Sequence, residues 1–363
     1  MSGNGLLVFG RLREKVWRAC SPVTIERREY TYQTGCGESR KKGIGGFRRR
    51  TSFPAAHETS GPEKLVFMTV QPVATPRPSA TVIITRPASE SFEILFIRRS
   101  SKSSFMGGMS AFPGGTVDPD DYEETVLCSE TENLLTSISQ TLSPAEQRAF
   151  YVAAVRELFE ETGVLIARDA QGRSIHGAGS PASDLIREEI DSGKSFSAAL
   201  KLHQMRLSCA ELIPYARWIT PTAQPQRFDA YFFLVEGPAN VRAEADAHET
   251  TSAFWLTPIH ALQSNKEGTI TLVPPTLKIV HDMARFSTFR ELEKSLRPHN
   301  LEPVQPVMCQ TEDGIMIVLP NDPDYPHAPA GASRQGQRPI GREEEPTRVV
   351  FEKGKWTLCL VER

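Results

Sequence analysis

Residues 156–164 read Arg-Glu-Leu-Phe-Glu-Glu-Thr-Gly-Val, and residues 112–115 upstream read Phe-Pro-Gly-Gly. At about 100° per residue, Glu157, Glu160 and Glu161 lie within one arc of a helix. Apolar residues occupy roughly the opposite arc, so such a helix buries one side and presents three carboxylates on the other. Crowded carboxylates repel one another unless a cation lies among them, and hard oxygen ligands suit Mg²⁺ or Mn²⁺. The pattern therefore predicts a divalent-metal site.

The nine-residue string resembles the second half of the Nudix box, G-x5-E-x7-R-E-U-x-E-E-x-G-U, in which U is aliphatic. It matches that half at every position, and Phe-Pro-Gly-Gly is the usual lead-in of the family. The resemblance implies an α/β fold, the Nudix α/β/α sandwich with a mixed β-sheet. It also implies that Glu157, Glu160 and Glu161 bind the metal and that Arg156 pairs with an acid to orient the helix.

The first half of the box departs from the family pattern. Counting from Gly115, the box glutamate falls on Asp121, and the box arginine comes 27 residues later than the pattern requires. The acid before Arg156 is therefore either Asp121 or absent, and residues 122–142 form a polar insert. Ser143, Pro144 and Glu146 then form a capping box, which predicts a helix over 144–162 that stops at Gly163. A branch of the family with an interrupted box has this form, and it acts on coenzyme A (CoA) and acyl-CoA.

Basic residues and glycines beside the carboxylates are candidates for substrate binding. The segment from 95 to 115 resembles an extended motif of the CoA-diphosphatase branch, although Ser104 stands where that motif has its inner arginine. Arg98, Arg99 or Lys102 is expected to hold a phosphate, such as the 3′-phosphate of CoA, and solvated surface charges are the alternative. The turn residues Gly114 and Gly115 are expected to line the same site.

Two later segments add candidates. Residues 218–229 resemble a segment common in the interrupted-box branch, and Arg227 is expected in the wall of the cleft, an ordinary strand end being the alternative. Nudix enzymes often take a further metal ligand just before the last core strand. Glu249 is the positional match, with Glu244 and Asp246 as rivals.

Composition agrees with an enzyme. The chain of 363 residues is 39% hydrophobic and 24% charged, which is typical of a globular protein. No apolar run approaches the length of a membrane span. The six cysteines contain no Cys-x-x-Cys pair, so neither a zinc site nor a disulfide framework is indicated, and a reducing compartment is the simplest inference.

The charge is unevenly distributed. Residues 1–53 hold 12 Lys and Arg against four Glu, whereas the rest of the chain holds 30 against 40 Asp and Glu. The acidic body predicts no nucleic-acid partner. The basic arm has the pattern of an amphipathic helix and predicts a mitochondrial location. A near match to an N-terminal peroxisomal signal makes the peroxisome an alternative. If the basic arm is not a targeting signal, the protein is expected in the cytoplasm.

Three parts are predicted: a basic N-terminal arm over 1–64, a Nudix domain over 65–300 that contains the insert, and a C-terminal extension over 301–363. The extension has alternating hairpin-like segments around a proline-rich flexible loop at 320–348. The predicted function is metal-dependent hydrolysis of a small-molecule diphosphate, CoA or acyl-CoA first. The alternatives are ADP-ribose, NADH or another nucleoside diphosphate derivative, and a non-catalytic nucleotide-binding module. The oligomeric state and the role of the extension are not predicted.

Overall fold

The computed structural model describes residues 73–101, 107–122, 137–245, 250–296, 301–312, 314–330 and 336–361. The predicted basic arm, most of the insert, Lys102 and Glu249 lie outside these residues. Within them, no helix is both long and apolar enough to cross a bilayer.

Six α-helices and sixteen β-strands make up the described part of the chain. The helices are α1 (Pro144–Thr162), α2 (Pro181–Asp191), α3 (Phe196–Leu202), α4 (Pro258–Glu267), α5 (Pro274–Met283) and α6 (Phe289–Ser295). The first ten strands are β1 (Arg77–Pro87), β2 (Phe92–Arg99), β3 (Ser110–Ala111), β4 (Gly114–Thr116), β5 (Leu165–Arg168), β6 (Ser174–Gly177), β7 (Arg206–Leu207), β8 (Ile213–Ile219), β9 (Phe228–Glu236) and β10 (Thr250–Leu256). The C-terminal strands are β11 (Pro303–Val304), β12 (Val307–Thr311), β13 (Gly314–Val318), β14 (Gln337–Pro339), β15 (Arg348–Glu352) and β16 (Lys355–Val361).

The central sheet is mixed, as predicted. Its strands run in the order β10-β2-β1-β9-β8-β11, with β3 beside β2 and β4 beside β1. Strands β1 and β9 are parallel, as are β8 and β11, and the other pairs are antiparallel. Two smaller antiparallel sheets have the orders β6-β5-β7 and β12-β13-β15-β16-β14.

Alternation along the strands divides the core into two layers. On β1, Val82 and Ile84 pack with α1 in one hydrophobic cluster. Ile83, between them, packs in a second cluster with residues of α4 and α5 and of the C-terminal strands. The sheet is therefore covered on both faces, which confirms the predicted α/β/α sandwich.

Helix α1 begins and ends where the sequence predicts. The Ser143 hydroxyl accepts from the Glu146 N–H, and the Glu146 carboxylate accepts from the Ser143 N–H at 2.8 Å. Pro144 is the first helical residue, and Gly163 closes the helix with a left-handed φ of 68°. Burial of Tyr151, Val155, Leu158 and Phe159 leaves each with 0% exposure, so the predicted apolar face is confirmed.

Helices α5 and α6 are separate, because Thr288 and Glu291 form a capping box that starts α6 anew. One secondary-structure prediction needs correction. The predicted loop at 320–348 contains a 3-10 helix at Tyr325–Ala330 and strand β14. Its neighbouring ends are joined by a buried ion pair between Asp322 and Arg348.

The end of the insert belongs to the body of the domain. Ile138 is fully buried in the cluster around α1, and its backbone N–H donates to Gln147 Oε1 at 3.0 Å. Residues 137–142 are therefore packed against α1, although the prediction placed them in a polar insert. One further feature was not predicted, since Cys209 is disulfide-bonded.

Candidate active site

One large cavity, of about 920 Å³, lies against the carboxylate face of α1. It is lined by Glu157, Glu160 and Glu161 and by the glycine turn that carries β4. Strands β1, β8 and β9 form further walls through residues such as Thr81, Trp218 and Phe228. The three predicted carboxylates are thus brought to one cavity.

The Arg156 guanidinium joins three carboxylates and one backbone carbonyl beside the cavity. Its Nε and Nη2 donate to the two oxygens of Asp121, each at 2.9 Å, and Nη2 also donates to the Thr116 carbonyl at 2.8 Å. Its Nη1 donates to Glu157 Oε1 at 2.9 Å and to Glu160 Oε2 at 3.0 Å. Asp121 therefore takes the place of the box glutamate, which decides between the two alternatives left by the sequence.

The charge of Arg156 is fixed by these contacts. Burial works against the charged form, but the hydrogen bonds and charge of Asp121, with the charges of Glu157 and Glu160, hold the pKa of Arg156 above its usual value. The guanidinium cannot transfer a proton near neutral pH. The predicted pairing of Arg156 with an acid is present in its contact with Asp121, and the same guanidinium also contacts two box carboxylates.

The two glycines of the turn position carboxylates. The Gly114 N–H donates to Glu161 Oε2 at 2.8 Å. A Cβ added at Gly115 would lie 2.4 Å from Glu157 Oε1, so only glycine leaves room for that carboxylate. Both glycines line the cavity, and each lies directly against a box glutamate.

The carboxylates suit a divalent cation by their electrostatics. Burial raises the pKa of Glu157 to about 7, against the opposing charge of Arg156. Burial likewise raises the pKa of Glu160, again against Arg156. Burial disfavours the charged form of these two carboxylates, so an added positive charge would stabilise that form. Their hard oxygens suit Mg²⁺ or Mn²⁺.

The ligand set is not complete within the described residues. No three His, Cys, Asp or Glu side chains there converge closely enough to hold an ion by themselves. Arg156 Nη1 contacts Glu157 and Glu160 at the same time. The predicted fourth ligand, Glu249, lies outside the described residues, and the Thr250 hydroxyl beside it donates to the Glu161 carbonyl at 3.3 Å.

The predicted substrate-binding arginines are separated by the structure. Arg99 lines the cavity. Arg98 precedes it on β2 and projects to the other face, where its Nη2 donates to the Thr269 carbonyl at 3.2 Å. Arg98 is therefore not a cavity residue, and Lys102 lies outside the described residues.

The sequence predicts Arg227 in the wall of the cleft, but the structure places it outside the cavity lining. Its side chain is only 6% exposed, and it donates to the carbonyls of Thr220 at 3.0 Å and Ala74 at 2.7 Å. These bonds use the guanidinium to join the β8–β9 connection to the segment before β1. The neighbours Gln226 and Phe228 line the cavity instead.

Two groups of cavity residues were not predicted from the sequence. Arg77 is the first residue of β1, and its guanidinium stacks over the Phe228 ring at 5.1 Å from the ring centroid. The register that pairs Arg77 with Phe228 places it at the cavity. The second group comes from the C-terminal extension, and no local pattern indicates which of its apolar residues face the cavity.

Known proteins resemble this chain in sequence. Residues 136–286 match the family model of the NUDT19 Nudix domain. The acyl-coenzyme A diphosphatase NUDT19 of Xenopus laevis is 29% identical over 276 residues, which cover 66% of this chain and 72% of that protein. The protein of the same name from Homo sapiens is 28% identical over 282 residues, which cover 66% of this chain and 74% of that protein.

The fold has solved relatives as well. A NUDIX hydrolase from Alicyclobacillus acidocaldarius superposes with a TM-score of 0.52 at 26% sequence identity, covering 63% of this chain and 100% of that one. The fold and the box residues therefore agree with each other.

Proposed function

The chain belongs to the Nudix hydrolase superfamily, and from this premise we propose that it hydrolyses the diphosphate linkage of CoA or an acyl-CoA. The products would be 3′,5′-ADP and 4′-phosphopantetheine or its acyl derivative. The observation that carries the proposal is a cavity whose lining combines the box carboxylates and arginines with many apolar side chains. The similarity to acyl-coenzyme A diphosphatases supports the same substrate class.

A divalent ion is needed by Nudix hydrolases in general, and Mg²⁺ or Mn²⁺ is proposed here. Glu157, Glu160 and Glu161 would hold it, with Glu249 as a proposed fourth ligand. When bound, such an ion supplies positive charge against the diphosphate oxygens and makes a coordinated water more acidic.

The residues of the chain orient these groups. Arg156, fixed by Asp121, holds the carboxylates of Glu157 and Glu160. The Gly114 N–H holds that of Glu161. Arg77 and Arg99 face the cavity as cations that can bind phosphate oxygens of the substrate.

The deciding experiment combines a substrate panel with product analysis. CoA, acyl-CoAs, ADP-ribose and NADH are each supplied with Mg²⁺ or Mn²⁺. We expect CoA or acyl-CoA to give the highest kcat/KM and to yield 3′,5′-ADP. Higher kcat/KM on ADP-ribose or NADH would replace this proposal by the alternative nucleoside diphosphate substrate.

Two box variants test the site itself. Glu160→Gln and Glu161→Gln should each lower kcat by at least about 10²-fold, because each removes charge needed in the transition state. Glu188→Gln is a matched control, since Glu188 is an exposed residue of α2 outside the cavity lining. Near-normal turnover in both box variants would remove the active-site assignment.

The location in the cell is a separate proposal. The basic N-terminal arm is proposed to direct the protein to mitochondria, with peroxisomes as the alternative. Residues 1–64 fused to a fluorescent protein should colocalise with one of these organelles. A diffuse cytoplasmic signal would contradict both.

A further inference from the structure

The C-terminal extension builds an apolar wall of the active-site cavity. Five of its strand residues line the cavity: Met308, Ile315, Ile317, Phe351 and Trp356. They come from β12, β13, β15 and β16, which pair in one antiparallel sheet. The family-model match ends at residue 286, before this sheet begins.

Strand register explains why these side chains share one face. Met308 pairs with Ile317, and Phe351 pairs with Trp356. Directly paired residues in antiparallel strands project to the same side, so all of them face the cavity. The opposite face has its own small core, which contains Met316 and Val318.

The cavity face is held in place by the main body. Asn265 of α4 donates through Nδ2 to the Trp356 carbonyl at 2.9 Å, and its Oδ1 accepts from the Leu272 N–H at 3.0 Å. Asn265 is 5% exposed, and the Phe351 and Trp356 rings pack with centroids 4.9 Å apart. The wall is therefore a fixed part of the cavity.

Part of the cavity-facing side of this sheet remains accessible from the cavity. Ile317 and Trp356 are 6% and 4% exposed, whereas Met308, Ile315 and Phe351 are only half-buried and border the cavity. Apolar side chains left open in a cavity favour an apolar ligand group. A volume of about 920 Å³ is also near the upper end of ordinary ligand sites, which are roughly 300–1,000 Å³.

The lining of the cavity thus combines two chemistries. Helix α1 and strands β1 and β2 contribute carboxylates and arginines suited to a metal-bound diphosphate, whereas the C-terminal sheet contributes apolar side chains. A ligand that contacts both walls must carry a diphosphate and an apolar tail on the same molecule.

Resting on the proposed function, we infer that the C-terminal extension binds the acyl end of an acyl-CoA, so that the enzyme selects acyl-CoAs over free CoA. Ile315, Phe351 and Met308 are the residues that set this preference. They determine specificity by contact with the tail and take no part in bond breaking.

The test changes the apolar wall without touching the carboxylates. Ile315→Trp narrows the cavity at that wall, and Gln310→Trp is the matched control. Gln310 pairs with Ile315 on the same face of the sheet but is exposed and does not line the cavity. A second narrowing variant, Met308→Trp, guards against a fold defect at one position, and circular dichroism and thermal melting check each variant.

The first readout is substrate preference. The unmodified enzyme should have a kcat/KM for octanoyl-CoA at least about tenfold above those for CoA and acetyl-CoA, because the longer chain buries more apolar surface. Ile315→Trp should reduce that ratio to near one while hydrolysis of CoA changes less than about twofold. Gln310→Trp should keep the original ratio. An equal effect of Ile315→Trp on CoA and octanoyl-CoA would overturn the inference.

The second readout does not require turnover. Octanoyl-pantetheine, which lacks the nucleotide, should bind the unmodified protein in calorimetry and bind Ile315→Trp at least about tenfold more weakly. No binding to the unmodified protein, or equal binding to both, would overturn the inference. Hydrolysis of ADP-ribose without hydrolysis of any CoA compound would instead overturn the proposed function. The calorimetric result still decides whether the apolar wall binds an acyl group.

Discussion

Arg156 donates two hydrogen bonds to Asp121 across 35 residues of chain, from Nε to Oδ1 and from Nη2 to Oδ2, both at 2.9 Å. The insert lies between these two residues, and the ion pair closes it at the body of the domain. The same guanidinium holds Glu157 and Glu160. The interrupted box therefore keeps its geometry through an ion pair between distant parts of the sequence.

Removing Asp121 should cost both stability and activity. Asp121→Ala leaves a buried guanidinium without its bidentate partner, so we expect the free energy of unfolding to fall by roughly 3 kcal/mol. The kcat should fall as well, because Arg156 no longer holds the box carboxylates. Urea unfolding and steady-state kinetics measure the two effects. Asp118→Ala is the control, since Asp118 is 54% exposed and 3.8 Å from Arg156 Nη2. Equal stability losses in the two variants would contradict the special role of Asp121.

Gly115→Ala should damage catalysis more than stability. Its Cβ would lie 2.4 Å from Glu157 Oε1, so the carboxylate must move. Misplacing a catalytic group by about 1 Å costs up to roughly 10²-fold in rate, and we expect kcat to fall by about 10- to 100-fold. Gly172→Ala is the comparison, because Gly172 has a φ of 77° but nothing within 4 Å of the added Cβ. That variant should lose stability and keep its kcat, and the reverse pattern would show that Gly115 does not position Glu157.

Arg99 and Arg98 should differ in their effect on recognition of the 3′-phosphate. If Arg99 binds this group, the enzyme prefers CoA to 3′-dephospho-CoA by about tenfold or more in kcat/KM, as expected for a charge-assisted contact. Arg99→Ala should erase the preference and leave hydrolysis of 3′-dephospho-CoA nearly unchanged. Arg98→Ala, which removes a contact with Thr269 outside the cavity, should keep it. Equal rates on both substrates in the unmodified enzyme would exclude a phosphate contact at Arg99.

The buried pair between Arg348 and Asp322 should make the stability of the extension depend on pH. Both side chains have 0% exposure, and their atoms approach to 2.7 Å. Burial works to raise the pKa of Asp322, but hydrogen bonds from Arg348 and Thr347 hold this pKa below its usual range. Arg348→Met should lower the free energy of unfolding by about 3–5 kcal/mol at pH 7, because it leaves a buried carboxylate without its cation.

The sign of the pH effect follows from the lowered pKa. The pair contributes its full stability above the unfolded-state pKa of about 3.9 and loses it as pH falls through the lower folded-state value. The difference between the unmodified protein and Arg348→Met should therefore be largest at neutral pH and shrink below about pH 4. Urea midpoints at several pH values measure it. Arg173→Met, which breaks an exposed pair with Asp169, should show no such difference. A constant difference down to pH 2 would contradict the assignment to Asp322.

Local sequence was sufficient to predict the elements whose start, end or exposed face is set by residues within the element itself. Helix α1 follows from a capping box, a proline at its first position and a glycine stop, all within 143–163. The three carboxylates share a face because helical periodicity is a property of the segment alone. The mixed sandwich and the hydrolase class were predicted through the box, which is local too.

Tertiary structure decided which residues surround the cavity. The sequence placed Arg98, Arg99 and Arg227 together as substrate residues, but strand alternation sends Arg98 to the other face, and buried carbonyls take the guanidinium of Arg227. Arg77 reaches the cavity through its register with Phe228, a partner 151 positions away. Neither contact has a local signal.

The ion pair of Asp121 with Arg156 and the apolar wall of the extension also separate what local sequence predicts from what tertiary structure decides. The sequence by itself determined the box helix, its three carboxylates and one candidate acid, Asp121, for the interrupted box. Only the folded chain decided that Asp121 does so and that Met308, Ile315 and Phe351 face the same cavity as the box. The physical reason is that helix periodicity and capping act over a few neighbouring residues, whereas ion pairs and cavity walls join residues that only the packing of sheets and helices brings together.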